Sequence, residues 1–256
     1  MPIDPCVPKV ENNQSHKRFV NAVSPNTVLM DIISARQLVK RGETADSYFT
    51  AATDVITTTT VPDDKLEMIQ WKDEEEIVRQ FNPAYHIPTD YSIYKNEPRD
   101  KRVKKIKECM TGTRYFVTAL ADTDVQIIPL IKGFSQTERQ ICRETITNIQ
   151  PEYVAFYGTQ YFLQSLGISQ LVDDLNYVTQ NIDTDIFLIG LLSPGYTEKL
   201  PQQVAATSGL NQWKTRVKPG VKSPDEMRTQ YEGLSSAIEK ALQKSPDSPI
   251  TTIDDN

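Results

Sequence analysis

Short apolar runs alternate with longer amphipathic stretches along this chain, and this alternation constrains its fold more than any other feature. Most of the runs are rich in β-branched or aromatic residues and nearly continuous in hydrophobicity, which is typical of strands that are covered on both faces. They comprise residues 27–33, 54–59, 84–91, 125–132, 153–159, 185–192 and 203–208. Strand–helix–strand alternation of this kind predicts parallel strands joined by right-handed crossovers.

Amphipathic patterns between the runs predict helices. They cover residues 64–81, 98–120, 135–149, 171–179 and 224–242. Ser135 stands three residues before Glu138, which is the spacing of a capping box, and Ser223 precedes Pro224, a residue favoured at the first helical position. Gly112 is the point at which the second of these helices is expected to break.

The seven runs fall one short of the eight strands that a closed barrel needs. We therefore predict an α/β fold, a (β/α)8 TIM-like barrel that is complete if residues 19–23 supply the eighth strand and incomplete otherwise. A doubly wound open sheet is the alternative, disfavoured because no glycine-rich phosphate turn follows the early strands. One domain is expected over residues 1–245, followed by a disordered tail over 246–256, and residues 1–15 and 245–256 are expected to be mobile.

Composition narrows the class of protein. The chain has 256 residues and a formal net charge of −6, which argues against indiscriminate binding to nucleic acid but not against a local basic face. No apolar run approaches the ~18 residues of a membrane helix, and the first residues lack the apolar segment of a signal peptide. The three scattered cysteines predict reduced thiols in a cytoplasmic protein, with Cys142 in the core. Two histidines are too few for a histidine-based zinc site, so no metal or cofactor is expected.

Charged side chains interrupt or end several apolar runs, at positions that ring the active-site mouth in a barrel. Asp31 interrupts the apolar run TVLMDIIS, where a buried carboxylate is costly unless it has a partner or a functional role. The alternative is that Asp31 caps the helix that starts near Ser34. Asp90 ends YHIPTDY, and alternation predicts His86 on the same side, either in a pocket or as a hydrogen-bonded core histidine. Lys132 follows QIIPLI and is either the ion-pair partner of a carboxylate or an anion-binding group.

Other strand ends carry glycines, which allow a ligand to approach the backbone, amides, which read a heterocycle edge, and an aromatic ring able to stack on one. Together with His86 and Lys132, the candidate substrate-binding residues are Gly133, Gly158, Gln160, Gly190, Asn211, Gln212 and Trp213. The candidates for contacts with nucleic-acid phosphates are Lys214, Arg216, Lys218 and Lys222. A second basic stretch, residues 98–107, is either a solvated helix face or a surface that follows a phosphate backbone.

The strand ends, taken in order, resemble the tRNA-guanine transglycosylase superfamily, and are most similar to its DNA-modifying branch, the deoxypurine-in-DNA protein A family. The resemblance covers about residues 27–217 and rests on Asp31 and on the segments IPTDY, PLIKG, YVAFYGTQ, FLIGLLSP and GLNQW. It implies a barrel that exchanges a guanine base for a 7-deazaguanine. Queuine tRNA-ribosyltransferases belong to the same superfamily.

The resemblance also implies roles for individual residues. Asp31 corresponds to an aspartate that acts as a general acid and base, and Asp90 corresponds to one that hydrogen-bonds the purine edge. Gly158 and Gly190 stand where glycines line the base pocket, and Lys132 stands where the family has a base-reading glutamine.

The chain departs from that family in three places. Ile32 and Ile33 replace a Ser-Gly pair, the Cys/His zinc site of the tRNA enzymes is absent, and residues 208–211 hold no counterpart of the late-strand nucleophilic aspartate. Base exchange with retention proceeds through a glycosyl ester on a carboxylate. We therefore predict that Asp31 or Asp90 takes that role, and the alternative is that the chemistry is hydrolytic or absent.

The sequence thus predicts a transglycosylase-like pentosyltransferase that acts on a purine or 7-deazapurine base in nucleic acid. DNA is expected as the partner rather than tRNA, and no interaction with a membrane is expected. One alternative is a non-catalytic relative that binds a nucleotide or nucleic acid. Another is a barrel enzyme for a small phosphorylated metabolite.

Overall fold

Parallel strands form one curled sheet in the computed structural model, which describes residues 2–49, 52–163 and 167–243. The strands are β1 (Cys6–Val10), β2 (Thr27–Asp31), β3 (Asp54–Thr58), β4 (Tyr85–Ile87), β5 (Gln126–Ile127), β6 (Leu130–Ile131), β7 (Tyr153–Tyr157), β8 (Asp185–Ile189) and β9 (Val204–Gly209). Their order in the sheet is β5-β4-β3-β2-β1-β9-β8-β7-β6, and every neighbouring pair is parallel. Each of the seven predicted runs contains a strand, and most of the strands are shorter than predicted. The run 125–132 contains both β5 and β6, and β9 extends to Gly209, one residue beyond its predicted end.

The two ends of this sheet belong to one extended segment. β5 pairs with β4 and β6 pairs with β7, and only Ile128 and Pro129 stand between β5 and β6. These two residues are hydrogen-bonded to the flanking strands: Ile128 N–H donates to His86 O of β4 at 2.9 Å, and Pro129 O accepts from Ala155 N–H of β7 at 2.8 Å. The sheet is therefore the predicted TIM-like barrel, incomplete only at this interruption.

A cluster composed of strand and strand-flanking residues fills the inside of the curled sheet. It consists of Ile3, Val7, Leu29, Ile56, Tyr85, Ile87, Ile128, Leu130, Tyr153, Ala155, Phe187, Ile189 and Ala206. The neighbours of these residues along each strand, such as Val28 and Met30 beside Leu29, pack instead with helical side chains. Period-two alternation thus separates the barrel interior from the outer helical layer.

Helices cover the outside of the sheet. They are α1 (Gln14–Val23), α2 (Ile32–Val39), α3 (Ala45–Tyr48), α4 (Asp63–Leu66), α5 (Trp71–Phe81), α6 (Arg99–Ala119), α7 (Gln136–Ile149), α8 (Thr159–Leu163), α9 (Gly167–Thr179), α10 (Pro194–Thr197), α11 (Asn211–Val217) and α12 (Pro224–Leu242). The capping boxes at Ser135 and Ser223 are both confirmed. None of the helices in the described ranges has the length and apolar content needed to traverse a bilayer.

Two predicted helices differ from their expected form. Residues 64–81 contain α4 and α5 rather than one helix. α6 continues through Gly112, where a break was expected. A Cβ at that position would meet the Thr89 side chain at less than 3 Å. Gly112 therefore allows the chain beyond β4 to pack against α6.

The N-terminal prediction was wrong. Residues 19–23 form the end of α1, where Phe19 is fully buried, and the remaining strand is β1, which lies within the segment expected to be mobile. Pro8 cannot donate a ladder hydrogen bond and Lys9 is charged, so CVPKV lacks the appearance of a buried strand. β1 nevertheless pairs with β2 and β9. The predicted tail, 246–256, lies outside the described residues.

The buried cysteines give a test of this core. Cys6, Cys109 and Cys142 are each at most 1% exposed, and burial raises the pKa of Cys6 to about 12 and of Cys142 to about 11. Since the thiolate is the reactive form, we expect no thiol to react with a chromogenic disulfide reagent at about pH 8 in the native protein. All three should react in guanidinium chloride, and rapid native labelling would contradict this packing.

Candidate functional site

A cavity of about 530 Å³ lies at the carboxyl ends of the strands, where the active sites of TIM barrels are found. Its charged lining residues are Lys9, Glu11, Asp31, Asp63, Lys65, Asp90 and Lys132. Gln160, Tyr157 and Ser92 add further polar groups. Of the candidate residues, Asp31, Asp90, Lys132 and Gln160 line this one cavity, and Asn211 does not.

Strand alternation positions three of these charges. Asp31 stands two residues beyond Leu29, and Lys132 stands two residues beyond Leu130, so each continues a row that faces the barrel interior. Lys9 is paired in register with Leu29 and continues the interior row of β1 in the same way. This cavity, which we call the mouth cavity, is therefore the polar end of the apolar barrel interior.

Asp31 combines two of its predicted roles. It is the N-cap of α2, and its Oδ1 accepts a hydrogen bond from Ser34 N–H at 2.7 Å. The same side chain lines the mouth cavity. The cap fixes the orientation of the carboxylate and engages Oδ1, and no hydrogen bond to Oδ2 occurs in the described part of the chain.

Asp90 and Lys132 form a buried ion pair. Lys132 Nζ donates to Asp90 Oδ1, and the two side chains are 10% and 9% exposed, respectively. Burial opposes the charged form of the lysine, but the Asp90 carboxylate prevails and raises the pKa of Lys132 above its ordinary value. Thr59 Oγ1 accepts from Asp90 N–H at 2.9 Å and holds the backbone. Of the two interpretations of Lys132, the structure therefore shows the ion-pair partner.

Asp63 is a site residue that the sequence analysis missed. The hydroxyls of Ser92 and Tyr94 both donate to its carboxylate, and these bonds lower the pKa of Asp63 below its ordinary value. They connect α4 to the segment that follows Asp90, and so form one wall of the cavity. Lys9 and Glu11 were missed as well, because β1 was not predicted.

The position predicted for His86 was wrong. Its side chain is fully buried outside the barrel interior, with Nε2 2.8 Å from Glu74 Oε1 and Nδ1 2.9 Å from Thr57 Oγ1, and it lines neither the mouth cavity nor the adjoining one described below. Alternation fails because β4 ends at Ile87 and Thr89 adopts a φ of 50°, which turns the chain before Asp90. The alternative, a hydrogen-bonded core histidine, is correct.

The predicted pocket glycines do not line the mouth cavity. Gly133 has a φ of 120° and lies against Glu138 of α7, and Gly190 has a φ of 102° and lies against Thr159. A Cβ at Gly158 would meet Leu188 at 3.0 Å. These glycines allow neighbouring strand ends and helix starts to approach one another, rather than a ligand to approach the backbone.

The residues after β9 also lie apart from the mouth cavity. Trp213 is fully buried, stacks on Phe19 with 4.3 Å between ring centroids, and donates from Nε1 to Lys9 O at 2.9 Å, so it cannot stack on a ligand. Asn211 and Gln212 line a separate cavity of about 400 Å³ together with Arg216 and other residues.

The four basic residues predicted to contact phosphates lie on α11 and in the loop after it. Lys214, Arg216 and Lys218 are exposed, and Lys222 Nζ donates to Arg216 O at 3.1 Å. A helix that follows a barrel strand runs back along the outside of the barrel. Lys218, at the end of α11, is therefore farther from the barrel mouth than Asn211 at its start.

A second cavity of about 450 Å³ adjoins the first and shares Asp63, Asp90 and Ser92 with it. Its other lining residues include Leu66, Ile69, Trp71, Glu74 and Tyr91. Within the described ranges, no group of three or more His, Cys, Asp or Glu side chains is placed to hold a metal ion.

The fold and the cavities define a class: a TIM-like barrel with a charged site at the carboxyl ends of its strands. Neither a protein-family model nor a curated protein matches this chain.

The ion pair at the mouth gives a second test. Breaking a buried pair leaves one charge unpaired, so K132M or D90N alone should each destabilise the protein by about 3 kcal/mol, and the double variant by much less than the sum. The exposed pair Lys104–Glu108, 3.9 Å apart, is the control, and K104M with E108Q should show a coupling below about 0.5 kcal/mol. Urea unfolding of the single and double variants measures the coupling energy of each pair, and equal coupling energies would contradict a buried pair.

Proposed function

We propose that this protein acts at the glycosidic bond of a purine nucleoside unit and exchanges its base. The observation that carries the proposal is the convergence of Asp31, Asp90, Lys132 and Gln160 on one cavity at the barrel mouth. Two carboxylates beside one cavity are the minimum equipment for base exchange through a covalent ester. The resemblance of the strand ends to transglycosylases points to the same reaction.

The two carboxylates divide the work. In the first step the carboxylate of Asp90 forms a bond to the anomeric carbon as the bond from that carbon to the base nitrogen breaks, and Asp31 gives a proton to the departing base. In the second step a nitrogen of the incoming base attacks the same carbon, the ester breaks, and Asp31 takes the proton back. Lys132 provides a positive charge beside Asp90 throughout.

The end of β9 supports this division. The family's late-strand nucleophile has no counterpart there, because Ser208 occupies an interior position beyond Ala206. Ser208 is fully buried, and its Oγ has no hydrogen-bond partner among the described residues. Since no carboxylate projects from this strand end, the covalent and acid–base roles fall to other carboxylates of the cavity, and Asp31 and Asp90 are the ones that correspond to aspartates of the family.

The phosphorylated-metabolite alternative receives less support. Lys132 is engaged by Asp90, and the N-terminus of α7 is engaged by Glu138, whose Oε2 accepts from Phe134 N–H at 2.8 Å and Ser135 N–H at 3.2 Å. A phosphate at either group would have to compete with the carboxylate already bound there. A nucleoside unit within a nucleic acid, DNA rather than tRNA, remains our proposed substrate, with a free purine or 7-deazapurine as the exchanging base.

The carboxylates can be tested by replacement with their amides. D31N and D90N keep the side-chain shape and remove the negative charge, so each should lower the rate of guanine exchange by on the order of a thousandfold. The assay measures incorporation of labelled guanine into DNA and into tRNA. D173N, an exposed position on α9, should leave the rate unchanged.

A trapping experiment separates catalysis from mere binding. Wild-type protein incubated with guanine-containing DNA should yield a denaturation-resistant adduct, and D90N should yield none. Exchange at full rate by both Asn variants would make the two aspartates structural. If the wild type exchanges no base in DNA or tRNA, the non-catalytic binding relative becomes the better hypothesis.

The proposed nucleic-acid partner predicts a salt dependence. If the four basic residues from Lys214 to Lys222 contact phosphates, DNA binding weakens with salt, and each charge removed lowers the slope of log affinity against log salt by about one. Fluorescence anisotropy of a labelled duplex measures this. Unchanged slopes in K214A and K218A would place the phosphates elsewhere.

A further inference from the structure

The second cavity has the features of a site for a flat ring. Its volume of about 450 Å³ lies within the range of small-molecule sites. Trp71 and Tyr91 provide aromatic walls, and Leu66 and Ile69 provide apolar ones. Aromatic walls with an apolar surround favour planar ligands, which bury large areas there at little cost in conformational entropy.

One buried carboxylate lines this cavity. Glu74 stands three residues after Trp71 on α5 and so on the same face of the helix, and its side chain is 3% exposed. Both of its hydrogen bonds fall on Oε1, from His86 and from Thr89 N–H at 3.0 Å. Oε2 has no donor within the described ranges. Because His86 and Thr89 both bond to Oε1, Oε2 is the oxygen left available to a ligand in the cavity that Glu74 lines.

A carboxylate oxygen that has no protein donor can accept a charge-assisted hydrogen bond from a ligand in this cavity. His86 Nε2 lies 2.8 Å from Glu74 Oε1, and Thr57 Oγ1 lies 2.9 Å from His86 Nδ1. These two hydrogen bonds hold Oε1 in place and so set the direction of Oε2. The complementary ligand is therefore a planar heterocycle with N–H donors on one edge. Guanine and 7-deazaguanine carry such an edge, with a ring N–H beside an amino group.

We propose that this second cavity binds the base of the nucleoside unit, with the donor edge of the base on Glu74. The sugar then occupies the mouth cavity, an assignment that rests on the proposed function, and the glycosidic bond lies over the residues that the two cavities share. Asp90 is one of them, which places a carboxylate at the junction of base and sugar. Glu74, rather than Asp90, is the residue that recognises the base.

Binding of the free base tests this without any exchange assay. Trp71 lines the cavity and Trp213 is fully buried, so quenching of tryptophan fluorescence by free 7-deazaguanine reports on occupancy at Trp71. E74Q should weaken binding by at least about tenfold, because a charged acceptor is lost. E76Q makes the same chemical change at an exposed position on α5 that does not line the cavity, and it should stay within about twofold.

A second variant covers the case in which E74Q fails to fold. I69F fills part of the cavity without adding a tryptophan and should abolish binding without touching Glu74. Unsubstituted 7-deazapurine, which lacks the donor edge, should bind weakly and equally to wild type and E74Q. Absence of saturable quenching in the wild type, or 7-deazaguanine binding that both E74Q and I69F leave unchanged, would overturn the assignment. Base binding that fits these expectations without base exchange leaves the site in place and rejects only the proposed reaction.

Discussion

The architecture depends on one constraint: in a curled parallel sheet each strand sends alternate side chains to an interior that only side chains can fill. The interior row of every strand has to be apolar until it reaches the carboxyl end, where it meets water. Leu29 followed by Asp31, and Leu130 followed by Lys132, show that transition within two residues. The polar site is thus a continuation of the core pattern, and its groups inherit their positions from the packing below them.

This constraint explains which parts of the molecule were predictable. Seven strands follow from hydrophobicity alone, and the residues directly continuing their interior rows, Asp31 and Lys132, were correctly placed at the mouth. The prediction failed where alternation stopped. His86 was assigned to the pocket because the strand was extended past Ile87, and no sequence pattern reveals the positive φ of Thr89 that turns the chain there.

Other misses have different physical causes. β1 contains a proline and a lysine, and its burial comes from pairing with strands far along the chain, which local composition does not record. Trp213 looked like a stacking surface beside polar amides, but Phe19 of α1 covers it, a contact between residues that are 194 positions apart in the sequence. Such long-range packing decides whether an aromatic residue binds a ligand or the core.

The interruption between β5 and β6 gives the ion pair at the mouth a mechanical meaning. Asp90 follows β4 on one side of the interrupted segment, and Lys132 follows β6, which pairs with the opposite side. The pair therefore links the chain across the β4–β5 and β6–β7 ladders, each of which has only two residue pairs. A ligand that drew Lys132 away from Asp90 would remove this link between the ends of β4 and β6. Ligand binding at the site and closure of the barrel therefore both depend on the Lys132 ammonium group.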